Sequence, residues 1–477
     1  MREDHTNRPS LSFLSGEDKR RIQQAALQIL GHTGMEILHE EAINLLKNAG
    51  CSIGDRSIVR IPEALVEEAL QTAPHEIQVY DREGKPSMNL GGYRSYFGTG
   101  SDLLYTIDVE TQQRRRCVLE DVRLAARLCD ALPNIDFIMS FSNPSDVPPR
   151  HAYLRGFQAM AEESQKPIVC TAEGRDDLRE MWEIAKILRG EEESLRVKPY
   201  FIHYAEPISP LRQAFPGIDK LLFSAERRIP VVYSPAPISG STAPITIAGH
   251  VAQGLAECLC GIVIHQLKEK GAPIIMGVGP AVLDMVTGEC SYNAPEYYLS
   301  YMAVVEMSHV YDLPSWGYAG TSDSQIPDGQ ATFEAGLITF LAAIGGANLN
   351  HDVGYLDFGR TGSLEMVVIM DEVIDQVKRL LRGIPVDNET LALNVIHEVG
   401  PGGHFLTEDH TARHIRTTQW RPTLISRDGY DRWKESGALT LRERARKKLS
   451  RILESHKPCP LPIDKTQSIN SRVEQFR

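Results

Sequence analysis

The apolar positions of this chain change rhythm near residue 85. Before that point they recur at helical spacing. Ser15 followed by Asp18 forms a capping box that opens a helix through Leu30. A second helix covers Glu40–Asn48 and stops at Gly50, a third starts at Pro62, and a short strand occupies Ile77–Tyr80. Beyond it, short apolar or β-branched runs, mostly introduced by Pro, alternate with segments of helical length. The runs begin near Ser95 (SYFGTG), Ile135 (IDFIMSF), Pro167 (PIVCTA) and Pro199 (PYFIHY), then near Pro230 (PVVYSP), Pro273 (PIIMGVG), Pro314 (PSWGYAG) and Ala347 (ANLNHD). Helices are expected at Leu119–Leu132, Asp176–Leu188, Ile245–Lys270, Pro295–Val310, Gln330–Ile344 and Leu364–Leu381.

Eight strand–helix units with strands apolar on both faces predict an α/β protein built as a closed (β/α)8 TIM barrel; a doubly wound open sheet is the alternative. The pattern divides the chain into a mainly helical N-terminal extension (1–88), the barrel (89–385), and C-terminal helices with a Pro-rich arm packed on its outside (386–477).

Composition narrows the function classes. A net charge of −12 argues against a nucleic-acid partner, which selects a basic face, and suits attraction of a cation. The basic runs Arg114–Arg116 and Arg442–Lys448 are short and read as solvated surface. No secretory signal opens the chain, the apolar stretch near Ile245–Gln266 carries His250, Gln253 and Glu257 and reads as a buried helix, and eight scattered Cys suit a reducing compartment. The expectation is a cytoplasmic protein without a membrane partner, and a homo-oligomer, given the outer surface its C-terminal helices offer.

In barrels, chemistry sits at the C-terminal strand ends and the loops beyond them. Those positions hold Tyr96, Phe97, Asp102, Ser142, Asn143, Glu173, Tyr204, Glu206, Ser234, Trp316, Tyr318, Asp323, His351 and Tyr355. Aromatic faces with scattered carboxylates suit an organic cation, because ring quadrupoles attract positive charge. No nucleophile elbow or P-loop occurs, and Gly277-Val-Gly279 is a weak phosphate signal. His410 and His414 share a helix face but have no Glu between them, so they read as surface or packing histidines, and no metal site is expected.

Five ordered segments carry a resemblance: YFGTGSD at Tyr96–Asp102, EPISPL at Glu206–Leu211, GTSDSQIPDGQA at Gly320–Ala331, GANLNHDVGYLDFGRTGSLE at Gly346–Glu365 and VGPGGHFL at Val399–Leu406. Over about residues 20–440 the chain resembles the trimethylamine methyltransferase family, specifically its members without pyrrolysine. The resemblance implies a (β/α)8 barrel that moves a methyl group from a methylated amine to Co(I) of a corrinoid held by a separate protein, or to free cobalamin, with no cofactor on this chain. Pyrrolysine members carry that residue in the region matching Tyr318–Gln325; only standard residues stand there here.

The implied substrate is therefore a quaternary amine, which departs as a neutral tertiary amine without activation. Glycine betaine is preferred; proline betaine, carnitine and γ-butyrobetaine are alternatives. Under this reading Glu206 and His351 are the catalytic candidates. Tyr96, Phe97, Tyr204 and Tyr318 form the cage, with Tyr355 near the substrate tail and Asn350, His351 and Arg360 as donors to a carboxylate. Asp323 and Asp328 are expected to cap the helix that starts near Pro327. Rival readings are a zinc-dependent barrel methyltransferase, with Cys170 as the mouth thiol, and a non-catalytic betaine-binding protein.

Overall fold

The computed structural model describes residues 8–476. Residues 1–7, at the head of the N-terminal extension, and residue 477 lie outside it. Its central ladder closes on itself. Leu349 pairs with Tyr96 and Asn350 with Phe97; Gly98 bridges to Phe137 and Ile138 to Ile168. Ile168–Cys170, Phe201–Ala205, Val231–Tyr233 and Ile274–Met276 then pair in succession, all parallel. Met276 bridges to Ser315, and Trp316–Tyr318 pairs with Leu349–His351, which returns to the first strand. A ring of parallel strands has no edge, so the fold is the barrel and not the open sheet.

Alternation decides what fills the ring. Phe137, Val169, Ile202, Val232, Ile275, Trp316 and Leu349 form one interior cluster, whereas Phe201, Val231 and Ile274 pack outward under the helices. The N-terminal end is plugged by a hairpin, Ile77–Tyr80 with Pro86–Leu90, whose Ile77, Val79, Met88 and Leu90 join the interior cluster. The hairpin thus closes the barrel at its N-terminal end.

The helix Ile247–Lys268 is apolar all round because it is covered on both sides: the barrel lies within, and helices Gly16–Gln28, Glu40–Asn48 and Glu63–Thr72 of the extension lie outside. Among the described residues it alone has the length and apolarity to cross a membrane, and 83% of its apolar window is buried inside the protein. Its Glu257 accepts hydrogen bonds from Ser209 Oγ, the Leu211 amide and Gln253 Nε2. The extension also contains strands: Met35–Ile37 pairs with Ile58–Arg60 and runs parallel to Arg212–Gln213, tying it to the loop after the fourth barrel strand.

Two helices differ from expectation. Pro149–Glu163 and Phe215–Arg227 carry Pro in the first turn, where its missing N–H costs nothing. The basic runs are not simply solvated either. Arg115 pairs with Asp108 and Asp121, and Arg442 and Arg446 both reach Glu365, whose side chain is 3% exposed. The Arg442 and Arg446 pairs dock the helix Leu441–Ser455 onto Leu364–Leu381.

Candidate active site

Inward-facing positions at the mouth come from strands four, five, seven and eight. Alternation along Phe201–Ala205 points Ile202 and Tyr204 inward, and Glu206 continues that face. Tyr204 Oη donates to Glu206 Oε2 at 3.0 Å. The Glu206 side chain reaches solvent, yet desolvation by the protein around it pushes its carboxyl above the usual carboxylate range.

Trp316 and Tyr318, both inward on the seventh strand, flank His351 on the eighth. The imidazole stacks on Trp316 at 4.0 Å between ring centroids and lies 4.6 Å from Tyr318 and 6.5 Å from Tyr204. Glycines make room for this packing. A Cβ at Gly277 would lie 2.9 Å from Ser234 and Trp316 side-chain atoms, and one at Gly279 would lie 2.6 Å from Tyr318 Oη. The Gly277-Val-Gly279 turn therefore serves aromatic packing, not phosphate.

His351 Nδ1 lies 2.8 Å from Gly317 O, which assigns its proton to Nδ1 and leaves Nε2 a lone pair. Nε2 faces Asp352 Oδ1 at 3.2 Å. Burial pushes the imidazole down to about 3 and the Asp352 carboxyl well above the usual carboxylate range, so burial favours the uncharged form of each. Gly100 admits this arrangement, since a Cβ there would overlap Asp352 Oδ1 and the Tyr355 ring. Tyr355 Oη donates to Ser101 O, which fixes it as the mouth wall on that side.

The remaining sequence candidates divide by parity and depth. Phe97 points outward under the helix Leu364–Leu381, with Lys378 Nζ 5.7 Å from its ring centroid. Asn350 also points outward: its Oδ1 accepts from Tyr301 Oη and its Nδ2 donates to Tyr96 O and Ala347 O. Tyr96 sits at the plugged end, its hydroxyl accepting the Asn89 amide of the hairpin at 3.1 Å. Arg360 is occupied by Glu289 and Asp357. Structure thus separates these four from the group around His351, and a neutral Nε2 acceptor removes His351 itself as a donor to a carboxylate.

Asp328 does cap the helix Gly329–Gly345, accepting the Ala331 amide at 2.9 Å, but Asp323 accepts from Ser291 Oγ and the Tyr292 amide. Asp102, at φ +66° and held by Ser101 Oγ at 2.6 Å, has its carboxyl raised by burial. With Ser142, Asn143, Tyr153 and Cys170 it borders a cavity of about 10 Å³, space for about one water. The Cys170 thiol is buried and pushed up by that burial, the opposite of a zinc-ready thiolate. Glu173 and Phe215 line a surface depression further out.

Two sets of residues went unseen in the sequence. Tyr301 Oη accepts the Tyr318 amide at 3.1 Å, and Tyr297 meets the Tyr318 ring edge-on at 5.7 Å, so the helix Pro295–Val310 buttresses the cage from behind. Lys220, on the unforeseen helix Phe215–Arg227, reaches back to the mouth. Its Nζ donates to Ala172 O at 2.5 Å; burial lowers its pKa, and the nearby Glu206, Asp177 and Asp102 partly offset that. The arrangement is an aromatic cup with a neutral imidazole at its base, one solvent-accessible carboxylate and one ammonium.

The family model described as trimethylamine methyltransferase (MTTB) matches residues 1–476. Trimethylamine methyltransferase MttB of Desulfitobacterium hafniense is 32% identical over 98% of this chain and 94% of its own length. The MttB of Methanosarcina thermophila is 32% identical over 96% of each. A glycine betaine methyltransferase of D. hafniense is 29% identical over 98% and 97%. Among solved structures, the Methanosarcina barkeri monomethylamine methyltransferase MtmB superposes with a TM-score of 0.45 at 14% identity, covering 91% of this chain and 92% of that one. With a family match over essentially its whole length and relatives above 30% identity along it, the chain belongs to the trimethylamine methyltransferase (MttB) family.

Proposed function

We propose that this protein transfers a methyl group from a quaternary amine, glycine betaine in preference, to Co(I) of a corrinoid presented by a partner protein, releasing dimethylglycine. The observation that carries this reading is the cup at the barrel mouth: Trp316, Tyr318 and Tyr204 around a neutral His351, with Glu206 accessible beside them.

A trimethylammonium head gains from aromatic faces and a carboxylate and is repelled by an imidazolium. Burial keeps His351 uncharged across the physiological range, so the cup suits a permanent cation. Lys220 supplies the complementary charge for the substrate carboxylate, in place of Asn350 and Arg360, which have other partners. A zwitterion with its two charges a few bonds apart matches Glu206 and Lys220 together.

The chemistry asks little more of the chain. The nucleophile attacks a methyl carbon, the C–N bond breaks, and its electron pair stays on nitrogen as a neutral tertiary amine. No proton is required. The chain's contribution is orientation, holding one N-methyl in line toward the mouth. Standard residues at Tyr318–Gln325 fit a substrate that needs no covalent activation.

The substrate is tested by incubating the protein anaerobically with Co(I) cobalamin and each of glycine betaine, proline betaine, carnitine and γ-butyrobetaine, following N-demethylation by proton NMR. Fastest conversion of glycine betaine is expected. Fastest conversion of a longer betaine would move the assignment within the class, and binding without demethylation of any would favour a carrier.

A further inference from the structure

Beyond the barrel, residues 384–419 form an excursion whose helices Asn388–Leu391, Leu393–Val399 and Asp409–Thr418 have no buried residue. Helices of four, seven and ten residues are below the length at which a helix holds itself in water, roughly 12–15 residues. Two anchors join the excursion's end to the barrel helix Leu364–Leu381: Arg379 donates to Thr418 O, and Trp420 Nε1 donates to Asp375. Neither anchor touches the near helix, Asn388–Leu391.

What links the near helix to the far one is a convergence of three metal-ligand side chains. His410 and His414, one turn apart on Asp409–Thr418, present ring centroids 4.3 Å apart. Both Nε2 atoms point at Glu389: that of His414 lies 2.9 Å from its carboxylate Oε1, and that of His410 lies 3.1 Å from its carbonyl. The three ligand atoms fall within 4.8 Å of one another. The sequence lacks a Glu between the histidines, and that absence argues against a zincin-type catalytic pair. The fold supplies the carboxylate from 21 residues upstream instead.

We propose that Glu389, His410 and His414 form a structural site for a divalent transition ion of the zinc type. Two imidazoles and one carboxylate are a set such ions accept, at about 2.0–2.2 Å per bond. Arg413 lies 3.1 Å from Glu389 Oε1, the oxygen that also faces His414, so an ion there would share that oxygen with it or displace it. The ion clips the two helices together where no apolar core does so, the usual solution for a segment too small to bury one. The fourth position is open to water. The site lies on the excursion, not at the barrel mouth, so it is independent of the methyl-transfer reading.

The test uses the full-length chain without a histidine tag, stripped by chelator, dialysed against Zn²⁺ and analysed by plasma mass spectrometry and calorimetric titration. One zinc per chain is expected. The double variant His410→Ala/His414→Ala should lose it, and Glu389→Gln should bind at least about 10-fold more weakly, since even an outer partner of a ligand contributes that much. Trypsin cleavage at Arg382 and Arg413 should slow when zinc is added to the wild type and not to the double variant. All three side chains are solvent-accessible, so the variants fold. Less than stoichiometric zinc in the wild type, or unchanged zinc in the double variant, overturns the proposal.

Discussion

Under the proposed function the Glu206 carboxylate is the charge that the cup offers to a cation, and its removal gives the sharpest test of that role. Glu206→Gln keeps the shape and the hydrogen-bond acceptor for Tyr204 Oη but deletes the charge. An ammonium nitrogen about 5 Å from the carboxylate interacts with it by about 3 kcal/mol at an effective dielectric near 20, and by about 1 kcal/mol in bulk water. Glu206 is crowded but solvent-reached, which sets the expectation between those limits. The KM for glycine betaine should rise about 5- to 150-fold, with kcat changed much less, because the charge acts on ground and transition states alike.

The assay is methyl transfer to Co(I) cobalamin followed by absorbance, paired with inhibition by 3,3-dimethylbutanoate, in which carbon replaces the charged nitrogen. Wild type should prefer the cation, and the preference should collapse in Glu206→Gln. The pH arm has a defined sign. The carboxyl is raised above its usual range, so affinity for the cation falls as pH drops through that raised value, whereas the Gln variant stays flat. An unchanged KM with preference retained would refute the charge argument and leave the cup to its aromatic faces alone.

Three further outcomes follow from the same geometry. Lys220→Met should weaken glycine betaine by about 1.5–3 kcal/mol, the range for a charged hydrogen bond, while inhibition by tetramethylammonium, which has no carboxylate, stays unchanged; equal losses would mean a general collapse of the mouth. Burial raises the folded-state pKa of Asp352 above its unfolded value near about 4, so its contribution to stability is full below that value and is lost as pH rises toward the raised folded pKa. Asp352→Asn should therefore gain stability relative to wild type between pH 4.5 and pH 8 in urea titrations, and an equal difference at both would contradict a burial-raised Asp352 carboxyl. Gly100→Ala should destabilise by about 1–3 kcal/mol through overpacking against Asp352 and Tyr355, read as a lower Tm, and wild-type stability would show that the loop yields.

The barrel was legible because its eight apolar runs carry their own punctuation, a Pro or polar turn before most strands and a segment read as helical after all but the second and fourth. The site was legible only in part, for reasons particular residues make plain. Tyr204, Glu206, Tyr318 and His351 stand at strand ends on the inward phase, and Tyr355 lies in the loop region beyond the eighth strand. Phe97 and Asn350 were grouped with them by proximity in sequence, although the period of two that turns His351 inward turns Asn350 outward. Tyr96 has the right phase at the wrong depth, because the hairpin that plugs the barrel could be placed only by tertiary packing. Lys220 was hidden with its helix, whose Pro216 reads as a breaker when met in sequence and as a first-turn residue in the fold. Glu389 was out of reach for another reason: nothing local connects it to His410 and His414 until the excursion folds back.

The central claim is that the cup serves a quaternary and not a tertiary amine, and one anaerobic assay addresses it: protein, Co(I) cobalamin and either glycine betaine or trimethylamine, with methylcobalamin followed by absorbance. The account predicts methylcobalamin from glycine betaine and none from trimethylamine, because only the former leaves without a proton. Transfer from trimethylamine, or no transfer from any quaternary amine with the cognate corrinoid protein also supplied, would contradict it.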